Sequence, residues 1–464
     1  MCKMIDKMVD KIIDCQLIDE ILEKTSHPDP QAVRDVLRKA REKKGLELWE
    51  AGLLVNLKDP GLREELLVVA HNIKEEIYGE RLVFFAPLYV SDFCVNDCSY
   101  CNFHLKNKEL KHKRLSLEEI EEEVRVLIGM GHKRILLEFG EDPLHNPIDY
   151  VLKVIEKIYS VKTAKDNIRR LNVNIAATTV ENYRRLKEAH IGTYQLFQET
   201  YHRPTYEKVH CGPKADYDRQ LTAPNRAFEG GLDDLGLGVL FGLYDWRFEV
   251  LSLISHARYL DKKLGVGPHT ISVPRFCPAP SVDYEPAYRV SDEDFLKLMA
   301  ILRVSVPYTG MIITTRERPE IRKIAYQIGI SQSSAGSVTV TGGYSHRLSQ
   351  PQFEIYDTRP LEGVIKDVLG HKLLPSFCTA CYRLGRTGKD FMALSKPGQI
   401  HNFCRPNGLL TFAEYLEDFA SDGLCEKGKE VIDFYLNKID NEALRRETES
   451  RLARIKQGER DLYF

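Results

Sequence analysis

Three closely spaced cysteines form the pattern in this sequence that is best suited to chemistry. Cys94, Cys98 and Cys101 have the spacing C-x3-C-x2-C, and Tyr100 stands immediately before the last cysteine. Thiolates are soft donors that favour iron–sulfur clusters, and three of them leave one iron of a [4Fe-4S] cluster open to a substrate or cofactor. A structural zinc loop is the alternative, although such sites normally have a fourth ligand. This N-terminal cysteine triplet therefore predicts an open iron–sulfur site.

A second group of cysteines lies near the other end of the chain. Cys378 and Cys381 form C-x2-C, and Cys404 follows after 22 intervening residues. Zinc with His401 as fourth ligand is one interpretation of this C-terminal cysteine triplet. A redox C-x-x-C is less favoured, because no thioredoxin-like unit surrounds it. We expect a second iron–sulfur cluster that is again one protein ligand short. Electron carriers need fully ligated clusters, so two open sites argue against an electron carrier. A zinc-bound scaffold with an inactive barrel is a further alternative.

Composition limits the classes of partner. The 464 residues include 66 basic and 68 acidic side chains, a formal net charge of -2, which argues against nucleic acid or an anionic membrane as partner. The sequence has no apolar run long enough for a membrane span and no signal-peptide pattern at its start, so we expect a cytoplasmic protein. In that compartment cysteines indicate metal ligands rather than disulfides, and of the eleven cysteines the five outside the two triplets are interpreted as small buried hydrophobic residues.

The pattern of apolar residues predicts an α/β fold. Strands alternate with helices over residues 81–370, which favours a closed (β/α)8 barrel of the TIM type. An open doubly wound sheet is the alternative, but no Gly-x-Gly-x-x-Gly follows the first strand. The predicted strands cover residues 81–90, 134–139, 173–178, 194–199, 237–243, 270–276, 311–315 and 338–341.

Two further regions flank the predicted barrel. Residues 1–80 are predicted to be a helical extension, because apolar residues recur at helical spacing, including Ile5, Met8 and Val9. Residues 371–464 are predicted to be a mainly helical domain that holds the C-terminal triplet. Active sites of such barrels lie at the C-terminal ends of the strands, and the N-terminal triplet follows the first strand.

The N-terminal loop resembles the signature of the radical S-adenosylmethionine (SAM) enzymes, C-x3-C-x2-aromatic-C, including the aromatic Tyr100. The resemblance implies that SAM binds the open iron and is split into methionine and a 5'-deoxyadenosyl radical. Gly140 and Glu141 resemble part of the family's Gly-Gly-Glu-Pro segment, although Phe139 replaces its first glycine. The resemblance also assigns Arg219 to the SAM carboxylate; a solvent-exposed helix position is the alternative for this arginine. Glu199 ends the fourth predicted strand, where an acidic side chain would face the site.

The full set of motifs resembles the [FeFe]-hydrogenase maturases that cleave tyrosine: a radical SAM loop, a barrel and a C-terminal C-x2-C-x22-C. The resemblance implies a lyase that converts L-tyrosine to p-cresol and dehydroglycine. Carbon monoxide and cyanide then form an Fe(CO)2(CN) synthon for H-cluster assembly on an auxiliary [4Fe-4S] cluster with an additional iron, of [5Fe-5S] type. Its implied partners are SAM, a bridging cysteine, a low-potential electron donor and other hydrogenase maturation proteins. A tyrosine lyase of another pathway is the alternative.

The same resemblance assigns further residues. His269 is expected to bind the additional iron, since imidazole suits such an ion, whereas an ordinary buried core histidine is the competing view. Thr314, Arg316 and Ser337 lie in segments that resemble the tyrosine-binding segments of aromatic lyases. Arg316 is expected to hold the substrate carboxylate; a salt bridge at the barrel rim is the alternative.

Overall fold

The computed structural model describes residues 12–346 and 349–464. It begins with helices that pack on the outside of the main domain, the first capped by the side chain of Asp14. These helices are α1 (Cys15–Lys24), α2 (Pro30–Ala40), α3 (Leu48–Val55) and α4 (Pro60–Tyr78). The predicted helical extension is found here, while Ile5, Met8 and Val9 lie outside the described residues.

Eight parallel strands form a closed barrel at the centre of the structure. The barrel closes because the first strand pairs with both the second and the eighth. This confirms the predicted (β/α)8 fold. The strands are β1 (Arg81–Ser91), β2 (Arg134–Phe139), β3 (Arg170–Asn174), β4 (Tyr194–Gln195), β5 (Leu235–Gly238), β6 (Thr270–Ser272), β7 (Gly310–Ile313) and β8 (Gln332–Ser334).

Helices surround the barrel and bury their apolar faces against it. Their ends follow ordinary capping chemistry: Ser116 and Glu119 form a capping box, and Gly265 ends a long helix in the left-handed conformation. The helices are α5 (Leu117–Gly129), α6 (Ile148–Ser160), α7 (Val180–Glu188), α8 (Arg203–Val209), α9 (Tyr217–Leu221), α10 (Ala223–Glu229), α11 (Trp246–Leu264), α12 (Asp292–Ser305), α13 (Pro319–Ile328) and α14 (Leu361–Gly370).

One predicted strand is wrong. Residues 338–341 are predicted to form strand eight, but β8 lies earlier, and 338–341 belong to the loop beyond it. The side chains of β8 are Gln332, Ser333 and Ser334, which are buried and polar. A search for alternating apolar residues passes over such a strand, because its polar side chains face the barrel and neighbouring helices rather than solvent.

The chain after the barrel returns to the N-terminal ends of the strands. A ninth strand, β9 (Leu374–Ser376), pairs in parallel with the beginning of β1. We propose that the domain boundaries lie near residues 80 and 370. The following helices are α15 (Ala380–Arg383), α16 (Gly388–Ser395), α17 (His401–Asp418), α18 (Asp422–Leu436) and α19 (Glu442–Lys456).

A buried network of charges joins this C-terminal region to the barrel. Glu414 on α17 accepts hydrogen bonds from Lys133 at 3.0 Å and from Arg169 at 2.8 Å. Asp166 completes the network by pairing with the same two cations. Among the described residues, no helix is both long and apolar enough to cross a membrane.

Candidate active site and auxiliary cluster site

The loop that follows β1, residues 93–103, holds the N-terminal triplet over the mouth of the barrel; we call it the thiol loop. Asn96 donates to Cys94 Sγ at 3.7 Å, and Gln352 donates to Cys101 Sγ at 3.6 Å. Burial raises the pKa of all three thiols, that of Cys101 to about 11. Thiolates in such a place need positive charge beside them, which iron supplies, so the donor set fits a cluster.

Gly140 lets the end of β2 pack directly against the thiol loop. A Cβ atom at this position would lie 2.3 Å from the carbonyl oxygen of Phe93. Next to it, the amide of Val95 donates to the carbonyl oxygen of Glu141 at 2.7 Å. Any side chain larger than that of glycine at this position would push the thiol loop away from β2.

The predicted SAM-binding residues fall into two groups. Glu141 accepts a hydrogen bond from Arg219 at 2.6 Å and another from Asn96 at 2.7 Å. Glu141, Arg219 and Gly140 line a cavity between the ends of β2 and β3. Tyr100 and Glu199 instead line the central cavity of the barrel. Arg219 is half-buried and ion-paired, so a freely solvated helix position does not describe it.

Lys214 is a residue of this site that sequence reasoning missed. Its ammonium group donates to Glu199 at 2.8 Å, and its amide donates to Asn96 Oδ1 at the same distance. The positive charge of Lys214 lowers the pKa of every thiol in the N-terminal triplet, opposing the effect of burial. A single lysine in a loop gives no motif, and only the folded chain brings it to the cysteines.

The central cavity lies at the C-terminal ends of the strands and encloses about 980 Å³, part of it open to solvent. Thr314, Arg316 and Ser337 all line it, together with Cys101. The hydroxyl of Ser337 is buried without a hydrogen-bond partner. The structure therefore brings the three predicted substrate residues to one cavity beside the N-terminal triplet.

Arg316 differs from the arginines that flank it. Arg275 pairs with Glu317, and Arg318 pairs with Asp292. In the described part of the chain, the Arg316 guanidinium has no carboxylate within ion-pair distance; it lies over the ring of Phe353, 3.2 Å from its centroid. The alternative of a rim salt bridge is therefore not found, and this guanidinium is available to an anionic ligand.

Glu138 lines the central cavity and, like Lys214, had no clear signal in the sequence. It lies on β2, and burial raises the pKa of its carboxyl to about 8, while the charge of Arg316 lowers it. Tyr89 lines the same cavity and donates to Gln352 Oε1 at 3.0 Å. A carboxyl with this pKa accepts or releases a proton near neutral pH.

The C-terminal triplet borders a separate cavity at the opposite mouth of the barrel. His269 lines this cavity with Cys378, Cys381 and Cys404. Burial raises the pKa of the Cys378 and Cys381 thiols, that of Cys381 to about 12. His401 lies outside the cavity lining, and its Nδ1 is 2.6 Å from the carbonyl oxygen of Gly398, so the proposed zinc ligand is not brought to the thiols.

The surroundings of His269 suit a metal ligand. Its Nδ1 lies 3.5 Å from Asp234 Oδ2, and its ring packs on that of Phe391 at 4.0 Å between centroids. Burial lowers the pKa of His269, which keeps the imidazole neutral. His269 Nδ1 and both carboxylate oxygens of Asp234 are buried without a hydrogen-bond partner among the described residues, so Asp234 places negative charge beside the ring but forms no hydrogen bond to it.

Neither triplet has the geometry of a single-ion site. Among residues 12–346 and 349–464, no three His, Cys, Asp or Glu side chains converge as they would on one metal ion. In a cubane cluster each thiolate binds a different iron, so its ligands stand further apart. Three thiols in each place, one of them buried and two partly buried, therefore suit a cluster better than zinc.

The same strands supply side chains to both cavities. On β1, Arg81 lines the cavity of the C-terminal triplet and Tyr89 lines the central cavity. At 3.3 Å per residue, these two residues lie about 26 Å apart along the strand. Between them, a small apolar cluster of Phe85, Leu136 and Ile312 lies inside the barrel. The two candidate sites thus occupy opposite ends of one barrel interior.

Comparison with known proteins agrees with this architecture. A family model described as the radical SAM superfamily matches residues 88–251, and one described as the biotin and thiamin synthesis associated domain matches residues 272–371. A crystal structure of HydG, a maturase of the [FeFe]-hydrogenase, is 51% identical with a TM-score of 0.95, covering 98% of this chain and 100% of that chain.

Two further relatives are informative. The structure of the FeFe-hydrogenase maturase HydG from Carboxydothermus hydrogenoformans is 40% identical, with a TM-score of 0.84, and covers 97% of this chain and 99% of that one. The 2-iminoacetate synthase of Escherichia coli (strain K12) is 29% identical over 332 residues, which are 71% of this chain and 86% of the relative.

Proposed function

This chain belongs to the HydG family of [FeFe]-hydrogenase maturases within the radical SAM superfamily, and from that premise we propose that it is a tyrosine lyase. It cleaves the Cα–Cβ bond of L-tyrosine to p-cresol and dehydroglycine. The fragment yields carbon monoxide and cyanide, which enter an Fe(CO)2(CN) synthon for the H-cluster. The Escherichia coli relative supports the first step, since 2-iminoacetate is another name for dehydroglycine.

The N-terminal triplet would hold a [4Fe-4S] cluster with SAM on its open iron. When bound, the pair supplies a 5'-deoxyadenosyl radical that removes a hydrogen atom from tyrosine, after a low-potential donor has provided one electron. The protein's own part is to fix the geometry. Gly140 sets the distance between β2 and the thiol loop, and Lys214 places positive charge beside the thiolates.

The observation that carries the proposal is the guanidinium of Arg316, which has no carboxylate partner among the described residues and lies in a cavity lined also by Cys101. Guanidinium binds a carboxylate through two parallel hydrogen bonds, which fits the α-carboxylate of an amino acid. Thr314 and Ser337 offer hydroxyl groups beside it, and Glu138 offers a carboxyl to the amino group. A substrate held in this way has its backbone atoms fixed next to the site of radical formation.

The C-terminal triplet would hold the auxiliary cluster, with His269 on the additional iron and a free cysteine as bridging ligand. This site supplies the iron that carbon monoxide and cyanide bind. Arg81 and Arg134 line the same cavity and place positive charge where an anionic fragment would arrive. Asp234 places a negative charge 3.5 Å from His269 Nδ1.

The decisive experiment is anaerobic. The protein is reconstituted with iron and sulfide, given dithionite, SAM and tyrosine, and assayed for p-cresol and carbon monoxide together. Both products support the proposal. p-Cresol alone identifies a tyrosine lyase of another pathway, and SAM cleavage with neither product shows that the substrate is wrong.

A paired substitution tests the division between the two sites. Cys378→Ala with Cys381→Ala is expected to leave p-cresol formation largely intact and to abolish iron-bound carbon monoxide, followed by infrared spectroscopy. Cys425→Ala, at a half-buried cysteine on α18, is the matched control and should change neither product. Cys98→Ala should abolish both. Loss of p-cresol in the paired variant would contradict the division.

A further inference from the structure

Two exposed leucines lie on loops that are bonded directly to the thiol loop. Leu144 is 80% exposed and Leu105 is 57% exposed, the highest values among the large hydrophobic side chains of the described residues. The amide of Leu105 donates to the carbonyl oxygen of Asn96 at 2.8 Å. Two residues beyond Leu144, Asn146 donates to the carbonyl oxygen of Phe93 at 3.2 Å. Both leucines therefore belong to the outer surface beside the N-terminal triplet.

A strongly basic segment surrounds these leucines. Residues 104–114, which we call the basic loop, contain four lysines and one arginine against a single acid, Glu109. The whole chain is nearly balanced in charge, so this concentration is local. Lys108 and Lys111 are exposed and form no ion pair within the described ranges, whereas Lys106 pairs with Asp97.

Hydrogen bonds hold the basic loop against the cysteine-bearing segment. The amide of Lys113 donates to Asp92 Oδ1 at 2.6 Å, and Arg114 donates to the carbonyl oxygen of His145 at 2.6 Å. The ring of His145 stacks on that of Phe93, with 3.9 Å between centroids. Phe93 immediately precedes Cys94, so the basic loop, the leucines and the triplet form one continuous region.

We propose that the basic loop, with Leu105 and Leu144, is the docking surface for a small acidic one-electron carrier that reduces the cluster at the N-terminal triplet. The reduced carrier would give up one electron, and the oxidised cluster that Cys94, Cys98 and Cys101 would hold would accept it. Electron transfer is fast only over short distances, so the carrier has to bind close to the triplet, and the basic loop contacts the segment that bears it. A basic surface with a small apolar centre suits a weak, rapidly exchanging complex.

Binding is the first test, because it does not depend on catalysis. The variant Lys108→Glu/Lys111→Glu is compared with the reconstituted parent protein by calorimetry, with an acidic flavodoxin and an acidic ferredoxin as probes. We expect the affinity for at least one probe to fall about tenfold or more, and parent binding to weaken as salt rises. Lys427→Glu/Lys429→Glu on α18 is the matched control, since it reverses two other exposed lysines. Unchanged affinity for both probes would overturn the proposal.

Reduction of the cluster by two different reductants provides the second test. The docking proposal rests on the proposed function, and this test distinguishes failure of the docking surface from failure of the proposed function. SAM cleavage by Lys108→Glu/Lys111→Glu and by Leu144→Ser should be slowed with the protein carrier and unchanged with dithionite. Equal slowing with both reductants would refute docking at this surface. Absence of SAM cleavage in the parent protein with dithionite would refute the proposed function instead, and the binding measurement would still decide the docking.

Discussion

At the scale of single residues, the charge of Arg316 is the feature with the clearest consequence. Its neighbours Arg275 and Arg318 are engaged by carboxylates, while Arg316 rests on an aromatic ring inside the cavity. A guanidinium that is partly removed from water and lacks a counter-ion binds an incoming carboxylate without first breaking another ion pair. Substrate affinity should therefore depend on this side chain.

We predict that Arg316→Lys raises the KM for tyrosine about 10- to 150-fold, the equivalent of about 1.5–3 kcal/mol for a hydrogen bond to a charged group. SAM cleavage without tyrosine should persist, because the N-terminal triplet is untouched. Steady-state p-cresol formation measures the effect. Arg318→Ala, an exposed neighbour, is the control. An unchanged KM in Arg316→Lys would remove Arg316 from the substrate site.

The carboxyl of Glu138 makes the stability of the fold depend on pH. Burial raises its pKa from about 4.5 to about 8, so between these values the folded state holds a proton that the unfolded state has lost. Stability from this group is present at low pH and is lost as pH rises towards 8. We predict that Glu138→Gln flattens the decline in melting temperature between pH 5 and pH 8.

The control for this prediction is Glu181→Gln, because Glu181 is an exposed carboxylate on α7. Its melting curve should follow that of the parent protein at each pH. If Glu138→Gln were instead destabilised equally at pH 5 and pH 8, the carboxyl of Glu138 in the parent protein would be ionised throughout this range. The raised pKa would then be wrong.

At the scale of elements, the contact between the end of β2 and the thiol loop is predicted to be intolerant of change. In Gly140→Ala the new methyl group would meet the backbone of Phe93, which cannot move without moving Cys94. We expect loss of the SAM-dependent cluster signal in electron paramagnetic resonance, with the C-terminal cluster retained. Gly129→Ala is the control: a methyl group there meets no atom within 4 Å. A normal spectrum in Gly140→Ala would show that the loop adjusts.

Helices with clear apolar periodicity and capping residues could be predicted from the sequence. Helices α11 and α12 are of this kind, because the side chains of Asp245 and Ser291 cap their N-terminal ends. The strands after β2 were predicted to extend too far or, for β8, placed wrongly. Their C-terminal ends become loops around the central cavity, and the polar side chains of β8 face the barrel and its helices. Tertiary contacts decide these positions, and no local pattern encodes them.

The residues of the two sites likewise include some that could be predicted from the sequence and some that could not. Both cysteine triplets have spacings that are visible in the sequence, and resemblance located His269 and Arg316. Lys214 and Asp234 gave no such signal, since each is a single charged residue that reaches its partner only through the fold. Spacing predicts which residues bind a cluster, whereas the residues that support them are set by packing.

At the scale of the whole molecule, the buried charges between α17 and the barrel are predicted to hold the C-terminal region in place. Glu414→Gln leaves Lys133 and Arg169 with Asp166 as their remaining buried counter-ion. We expect a loss of about 3 kcal/mol in unfolding free energy, typical of a broken buried pair. Chemical denaturation measures it. Glu417→Gln, exposed on the same helix, is the control and should be neutral. A neutral Glu414→Gln would mean that water solvates the network.

The path of β1 through the barrel also limits which changes of length the gene can accept. Alternate side chains of a strand face the same side. On β1, Arg81 lines the cavity of the C-terminal triplet and Tyr89 lines the central cavity. One codon inserted between them would leave Arg81 facing inward and turn Tyr89 outward. Insertions and deletions in natural variants should therefore be confined to the loops and outer helices, while this strand keeps a constant number of residues.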